Sequence, residues 1–237
     1  MLLAAGLGSR LRPWTDDKPK CMVEVAGRPL IDWTIDWLRT QGITELVINL
    51  HHRPEALTAH LADGRRLGLS IEYSLEERLH GTAGAVAVAS GLLGPDRFLV
   101  VYADNLMQCD LRRVVDQHLA SSAAMTVALH RRTDVSGSGV AEVGTDGFIQ
   151  RFVEKPAPGT TTSHWVSAGL LVCEPAVLGY IPSDQPSDFG RDVIPAMVSA
   201  GERVRGYRLS DPERLLWIDT PRDLARTEQL LTSEALS

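Results

Sequence analysis

Met1-Leu2-Leu3-Ala4-Ala5-Gly6-Leu7-Gly8-Ser9-Arg10-Leu11-Arg12-Pro13, with Lys18-Pro19-Lys20 close behind, is the stretch on which the reading of this chain turns. A short apolar run feeds straight into a glycine-rich turn, the pattern of a strand followed by a loop. Glycines let backbone N–H groups approach an anion with no Cβ in the way. Arginine adds a planar fork for phosphate oxygens, and lysine adds a mobile point charge. The stretch therefore reads as a polyphosphate holder. Its spacing is neither the Walker pattern, which needs Gly-Lys-Ser/Thr together, nor the three-glycine dinucleotide fingerprint. The run before Gly6 leaves room for a strand only at the short end of the usual length.

Working outward, Pro29–Gln41 has the spacing of an amphipathic helix. Leu30, Trp33 and Trp37 share one face, Ile31, Ile35 and Leu38 lie beside them, and Gly42 stands at the stop. Glu45–Leu50 reads as a buried strand, which completes a βαβ unit with a right-handed crossover. A short helix over 55–61, a strand over 70–74, an Ala-rich helix over 82–93 and an apolar strand over 98–103 follow. Next come a helix over 111–120, capped by Asp110, and a strand over 125–130. This alternation predicts an α/β fold, Rossmann-like, with a mixed, mainly parallel sheet flanked by helices. After residue 130 the pattern turns β-rich. Segments 139–143 and 148–153 flank Asp146-Gly147 in a hairpin turn, and a longer strand covers 165–174. Helices are expected over 176–181 and 192–200, strands over 203–209 and 215–218, and a closing helix over 221–231 with proline in its first turn.

The length of 237 residues suits one α/β domain. Residues 1–130 would be mainly nucleotide-binding, and residues 131–237 a β-rich substrate lobe continuous with them. A net charge of −6 argues against a nucleic-acid partner, which wants a broad basic face. Any anion site must be a local basic spot. Cys21, Cys109 and Cys173 are odd in number and widely spaced, which excludes a disulfide framework and a zinc cluster. No apolar run approaches a membrane span, and no charged segment precedes the first apolar residues as in a signal peptide. A cytoplasmic protein with no membrane partner is the expectation.

Two acids end apolar runs. Asp104 follows Val100-Val101-Tyr102-Ala103, and Asp219 follows Trp217-Ile218. In open α/β sheets ligands bind outside the carboxyl ends of strands, where a carboxylate can hold Mg²⁺ through hard oxygen contacts. Either acid could instead cap a helix. For Asp104 the cap reading is the weaker one, because Asp110 is better placed. For Asp219, directly before Thr220-Pro221, the two readings balance on local grounds.

The string LAAGLGSRLRP…KPK resembles the signature of the sugar-1-phosphate nucleotidylyltransferases, or NDP-sugar pyrophosphorylases. The resemblance runs from about residue 2 to residue 231 and recurs in further places. Leu79-His80-Gly81-Thr82-Ala83-Gly84 is similar to the family turn that lies against the nucleoside, although Thr82 could equally be only a helix cap. Phe152-Val153-Glu154-Lys155-Pro156 resembles the F-x-EKP element. Ser167-Ala168-Gly169-Leu170 is similar to a turn near the sugar, with serine where the family has asparagine. Asp188-Phe189-Gly190-Arg191-Asp192 resembles another family string, with Asp192 read as a cap. Trp217-Ile218-Asp219-Thr220 looks like the element that carries the second metal aspartate. Asn49-Leu50-His51-His52 and Tyr73-Ser74-Leu75-Glu76 are closest to the subgroup of mannose-1-phosphate guanylyltransferases and N-acetylmuramate-1-phosphate uridylyltransferases.

The resemblance implies the nucleotide-diphospho-sugar transferase fold, and transfer of a nucleotidyl group from an NTP to a sugar-1-phosphate with Mg²⁺ as cofactor. It implies Arg10 and Lys20 as catalytic residues, and Leu3, Ala4, Ala5, Gly6, Gly8, Gly81 and Thr82 as nucleotide contacts. Asp104, Glu154, Lys155 and Ser167 would meet the sugar phosphate, and Asp104 and Asp219 the metal. GTP with a mannose- or heptose-type phosphate is favoured. The alternatives are a cytidylyl- or uridylyltransferase on another phosphate, or a non-catalytic nucleotide-sugar-binding regulatory protein. The left-handed β-helix domain that often accompanies the family does not fit within this length.

Overall fold

The computed structural model describes residues 1–235. In chain order the elements are β1 (Leu2–Leu3), β2 (Glu24–Val25), β3 (Arg28–Pro29), α1 (Leu30–Thr40), β4 (Glu45–Leu50), α2 (Pro54–Leu61) and β5 (Ser70–Leu75). Then come α3 (Gly81–Val88), α4 (Ser90–Leu93), β6 (Phe98–Tyr102), β7 (Asn105–Gln108), α5 (Leu111–Ser121), β8 (Met125–Arg131), β9 (Gly139–Val143) and β10 (Ile149–Glu154). The last are β11 (Trp165–Cys173), α6 (Ile194–Ser199), β12 (Val204–Arg208), β13 (Arg214–Trp217) and α7 (Pro221–Ala235). This is the α/β architecture expected: a mixed, mainly parallel sheet flanked by helices, with antiparallel strands added. Among the described residues no helix is long and apolar enough to cross a membrane.

Two compact units divide the chain. One holds Met1–Leu79, Tyr102–Gln108 and the residues from Leu215 onward; the other holds His80–Val101 and Cys109–Arg214. In the first unit β1, β4 and β5 run parallel, with Leu2 opposite Ile48 and Ile48 opposite Tyr73. Helix α1 buries Leu30, Ile31, Thr34, Ile35 and Leu38. Trp33 and Trp37 sit at the margin of that face and are only half buried. Trp33 uses its position to donate its indole N–H to the Val25 carbonyl at 3.1 Å. Gly42, with φ +83°, stops the helix as expected.

In the second unit β11 is the organising strand. It pairs antiparallel with β6, β8 and β9, and β12 joins β8 in parallel. The β9–β10 hairpin closes where expected: Gly147 takes φ +84°, and Asp146 accepts the Phe148 N–H at 3.1 Å. The Ser167-Ala168-Gly169 turn is a bulge in β11. The register shifts between Ser167 and Leu171, and Gly169 takes φ +72°.

Several elements differ from the sequence reading. The helix expected over 82–93 breaks into α3 and α4 around Ala89. Residues 175–180 form a 3₁₀ turn. The helix expected to start at Asp192 starts instead with a π-helical turn over Phe189–Val193. Two short features escape hydrophobic patterning. One is the β2–β3 hairpin, with Ala26 at φ +52° and Gly27 at φ +76°; the other is β7, which pairs with the expected strand β13. Both are too short to show a period.

Candidate active site

The first unit gathers four of the expected charged residues. Lys20 Nζ donates to Asp104 Oδ2 at 2.8 Å and to Asp219 Oδ1 at 2.7 Å. An Arg10 guanidinium nitrogen lies 3.2 Å from the same Asp219 Oδ1. The Lys20 side chain is 6% exposed, while Asp104 and Asp219 keep 33% and 25% of their side-chain surface and Arg10 keeps 67%. Burial works against the Lys20 ammonium, but the two carboxylates outweigh it and hold the group above the ordinary lysine range. Lys20 is thus an almost sealed cation and Arg10 an open one.

Packing explains why these residues meet. One apolar cluster contains Leu11, Val23, Val25, Leu30, Leu106, Ile218 and Leu224, with Trp33, Leu216 and Leu231 against it. Leu11 adjoins Arg10, Val23 follows Lys20, Leu106 follows Asp104, and Ile218 precedes Asp219. Each charged residue therefore sits within three positions of a side chain in a common core. Burying such side chains contributes about 1.5–3 kcal/mol each. That far exceeds what the partly exposed ion pairs supply.

The two signature glycines do different jobs. A Cβ at Gly6 would meet nothing within 4 Å, so its backbone is open to an incoming group. A Cβ on Gly8 would come within 2.8 Å of Thr15 Cγ2 and 2.9 Å of Lys20 Cβ, and Gly8 takes φ +59°. Glycine at this position lets the loop fold onto the Lys20 stem. The Gly8 carbonyl also accepts from Leu11 N–H and Thr15 Oγ1 at 2.8 and 2.9 Å. Leu3, Ala4 and Ala5 are buried at the end of β1. Asn49 Oδ1 accepts the Ala4 N–H at 2.7 Å, and Asn49 Nδ2 donates to Glu76 at 2.7 Å. This buried polar pair orients the start of the loop. Its signal in the sequence is a lone asparagine inside the apolar run 46–50.

Other residues cap the helices that follow Asp104 and Asp219. Asp110 caps α5 by accepting the Arg112 N–H at 3.0 Å. At α7, Thr220 and Asp223 form a reciprocal cap: Asp223 Oδ2 accepts from Thr220 N–H at 2.8 Å, and Thr220 Oγ1 accepts from Asp223 N–H at 3.3 Å. The Asp219 carboxylate takes both Lys20 and Arg10. Two carboxylates from separate segments that already share one cation suit Mg²⁺, which uses one or two carboxylates with water and phosphate oxygens. Among the described residues no group of three or more His, Cys, Asp or Glu is arranged to hold a metal ion. His51 and His52 contact backbone carbonyls of Glu76 and Thr15. Cys21, Cys109 and Cys173 are buried free thiols, and burial with Asp104 nearby pushes Cys21 up to about 12.

The remaining expected residues lie in the second unit. Thr82 is bound up in the protein: its N–H donates to Asp188 Oδ1 at 3.0 Å, and its hydroxyl accepts the Phe189 N–H at 2.9 Å. The Ser187 carbonyl takes the next two N–H groups of α3, from Ala83 and Gly84. A Cβ on Gly81, which takes φ +78°, would come within 2.5 Å of that carbonyl oxygen. Two strings read separately in the sequence, 79–84 and 188–192, are therefore one structure. Asp192 is not the residue at the helix start; it lies inside the π-helical turn and accepts the Asp188 N–H at 2.8 Å.

Glu154 ends β10 between two glycines. A Cβ on Gly139 would come within 2.7 Å of Glu154 Oε2, and one on Gly190 would overlap the same oxygen. Burial raises the Glu154 carboxyl above its ordinary range; Lys155 opposes the rise, Asp188 adds to it and Arg191 opposes it. Lys155 follows at φ +48°, in the left-handed region that is uncommon for a non-glycine residue. Ser167 sits at the bulge in β11, its Oγ 3.4 Å from the Gly169 N–H.

Comparison with known proteins agrees in kind. The sequence profile described as nucleotidyl transferase matches residues 1–231. A UTP–glucose-1-phosphate uridylyltransferase of Synechocystis sp. is 33% identical over 214 residues, 85% of this chain and 55% of that protein. A mannose-1-phosphate guanylyltransferase of Mycobacterium tuberculosis is 31% identical, over 95% of this chain and 62% of that protein. The chain thus spans little more than half the length of these relatives. Among solved structures, a Bacillus anthracis protein described as a candidate glucose-1-phosphate thymidylyltransferase, crystallised with sucrose, superposes with a TM-score of 0.85 at 25% identity, covering 97% of this chain and 93% of that one. HddC of Yersinia pseudotuberculosis, complexed with GMP-PN, gives 0.79 at 20% identity over 97% of both chains, a likeness of fold alone. With a match from the first residue to Leu231, the chain belongs to the nucleotidyl transferase family.

Proposed function

We propose that this chain transfers a nucleotidyl group from an NTP to a sugar-1-phosphate, releasing pyrophosphate. The observation that supports this most is the meeting of Lys20, Asp104, Asp219 and Arg10 at bonding distance. A sugar phosphate is already ionised near neutral pH, so attack on the α-phosphorus needs no strong base. Positioning and charge stabilisation then carry the rate. Exposed Arg10 would hold the leaving pyrophosphate through its fork, and buried Lys20 the α/β region. Lys155 would orient the incoming phosphate, Glu154 would accept from sugar hydroxyls, and Ser167 would lie near the sugar. Leu3, Ala4, Ala5, Gly6 and Gly8, with Gly81 and Thr82, would line the nucleotide. Asp104 and Asp219 would hold Mg²⁺, which when bound neutralises phosphate oxygens.

GTP with a mannose- or heptose-type phosphate is the preferred pair; relatives named mannose-1-phosphate guanylyltransferase in Mycobacterium tuberculosis and mannose-1-phosphate guanyltransferase in several yeasts support the GTP and mannose part. UTP with a glucose-type phosphate is the second reading, supported by the Synechocystis relative. Water-soluble substrates and three buried free thiols fit a cytoplasmic setting. The test is pyrophosphate release with each of the common NTPs against a panel of hexose-1-phosphates, with and without Mg²⁺. Metal-dependent release with one NTP–sugar pair bears the proposal out. Binding without release across the panel points to the regulatory alternative.

A further inference from the structure

Lys20 already occupies the place a metal ion would want. Its Nζ lies 2.8 Å from Asp104 Oδ2 and 2.7 Å from Asp219 Oδ1. Its side chain is 6% exposed, and its Cβ is packed under Gly8, so the ammonium has little freedom to drift into water. Arg10 adds a second cation on the same Asp219 oxygen at 3.2 Å. Two carboxylates and two cations cancel, and the pair is electrostatically satisfied as it stands. A divalent ion approaching these oxygens would meet an ammonium a few ångströms away in a poorly screened position. A triphosphate changes the balance, because its oxygens offer Lys20 and Arg10 another anion to hold.

We propose that Lys20 is a resident counter-cation that closes the Asp104–Asp219 pair to divalent metal until a polyphosphate draws its ammonium away. Lys20 thus has two partners in turn, the carboxylates in the free protein and the phosphates in the loaded one. Metal and nucleotide load together rather than metal first. This rests on the reading of Asp104 and Asp219 as the metal pair. If Lys20 served only as a phosphate contact, its removal would leave the metal affinity of the free protein unchanged.

The test is Mn²⁺ binding to the full chain without nucleotide, read by loss of the free-ion electron paramagnetic resonance signal. Lys20→Met keeps most of the stem and removes the charge. It should bind Mn²⁺ at least about tenfold more tightly than wild type, as expected when a neighbouring like charge is removed from a half-buried site. Adding Asp104→Asn should abolish the gain. Equal or weaker binding by Lys20→Met, with Mn²⁺ still held through Asp104 in wild type, overturns the counter-cation and leaves the metal pair standing. Mn²⁺ binding that ignores Asp104 in both backgrounds overturns both. If Lys20→Met does not fold, wild type answers by NMR of the Lys20 ammonium group. Mg²⁺ alone should leave that resonance in place, and Mg²⁺ with a non-hydrolysable GTP analogue should shift it. An equal shift with Mg²⁺ alone overturns the proposal.

Discussion

Arg10 and Lys20 reach for the same oxygen of Asp219, yet they stand in opposite surroundings, one two-thirds exposed and the other almost sealed. An exposed ion pair contributes about 0–1 kcal/mol to stability. Arg10→Ala should therefore leave the melting temperature nearly unchanged while turnover falls on the order of 10²–10³. A thermal melt beside a pyrophosphate-release assay checks both halves, and near-normal turnover would remove Arg10 from the chemistry. Gly190 offers a second test at this scale. A methyl there would overlap Glu154 Oε2 and lie 3.4 Å from Phe152 Cε1. Gly190→Ala should displace the carboxylate, raise KM for the sugar phosphate about tenfold and leave KM for the NTP little changed. Equal rises in both constants would mean that Gly190 acts only on the fold.

Among the elements, those with long apolar runs were legible and those held by distant partners were not. The strands before Asp104 and Asp219 announce themselves as runs of Val, Leu, Ile and aromatic residues, and both acids then fall at strand ends. That Gly8 makes room for the Lys20 stem is not legible locally, because the atoms a Cβ there would meet belong to Thr15 and Lys20. Asn49 with Glu76, and Thr82 with Asp188, are pairs 27 and 106 residues apart, and no periodicity reports them. A further distant contact is the tie between α5, β8 and the end of β11. His118 meets Thr126 Oγ1 at 2.8 Å and Glu174 Oε1 at 3.0 Å, with Arg97 on the same carboxylate oxygen. Burial holds the imidazole below the ordinary 6.5, with Glu174 pulling it up and Arg97 pushing it down. The unfolded chain therefore binds this proton more readily, and stability rises with pH through the window just below 6.5, then levels off. Melting from about pH 7.5 to about pH 5.5 should show wild type losing more stability than His118→Gln; equal slopes would contradict the assignment.

For the whole molecule, the first unit brings together residues from four segments, with Lys20 and Asp219 199 positions apart and Arg10 and Asp219 further still. A single apolar cluster joins those segments, so the charges meet as a consequence of burial rather than of their own attraction. In this way a chain of net charge −6 still presents a local basic spot, because Arg10 and Lys20 are brought to one place. Asp104 and Asp219 should then act as one unit, and losses within a unit do not add. The direct measurement is Mg²⁺-dependent pyrophosphate release by Asp104→Asn, Asp219→Asn and the double variant, each shown to be folded. Each single change should cost at least about 10²-fold, and the double change little more than either. Near-normal rates for either single variant, or losses that multiply in the double, would contradict a shared centre.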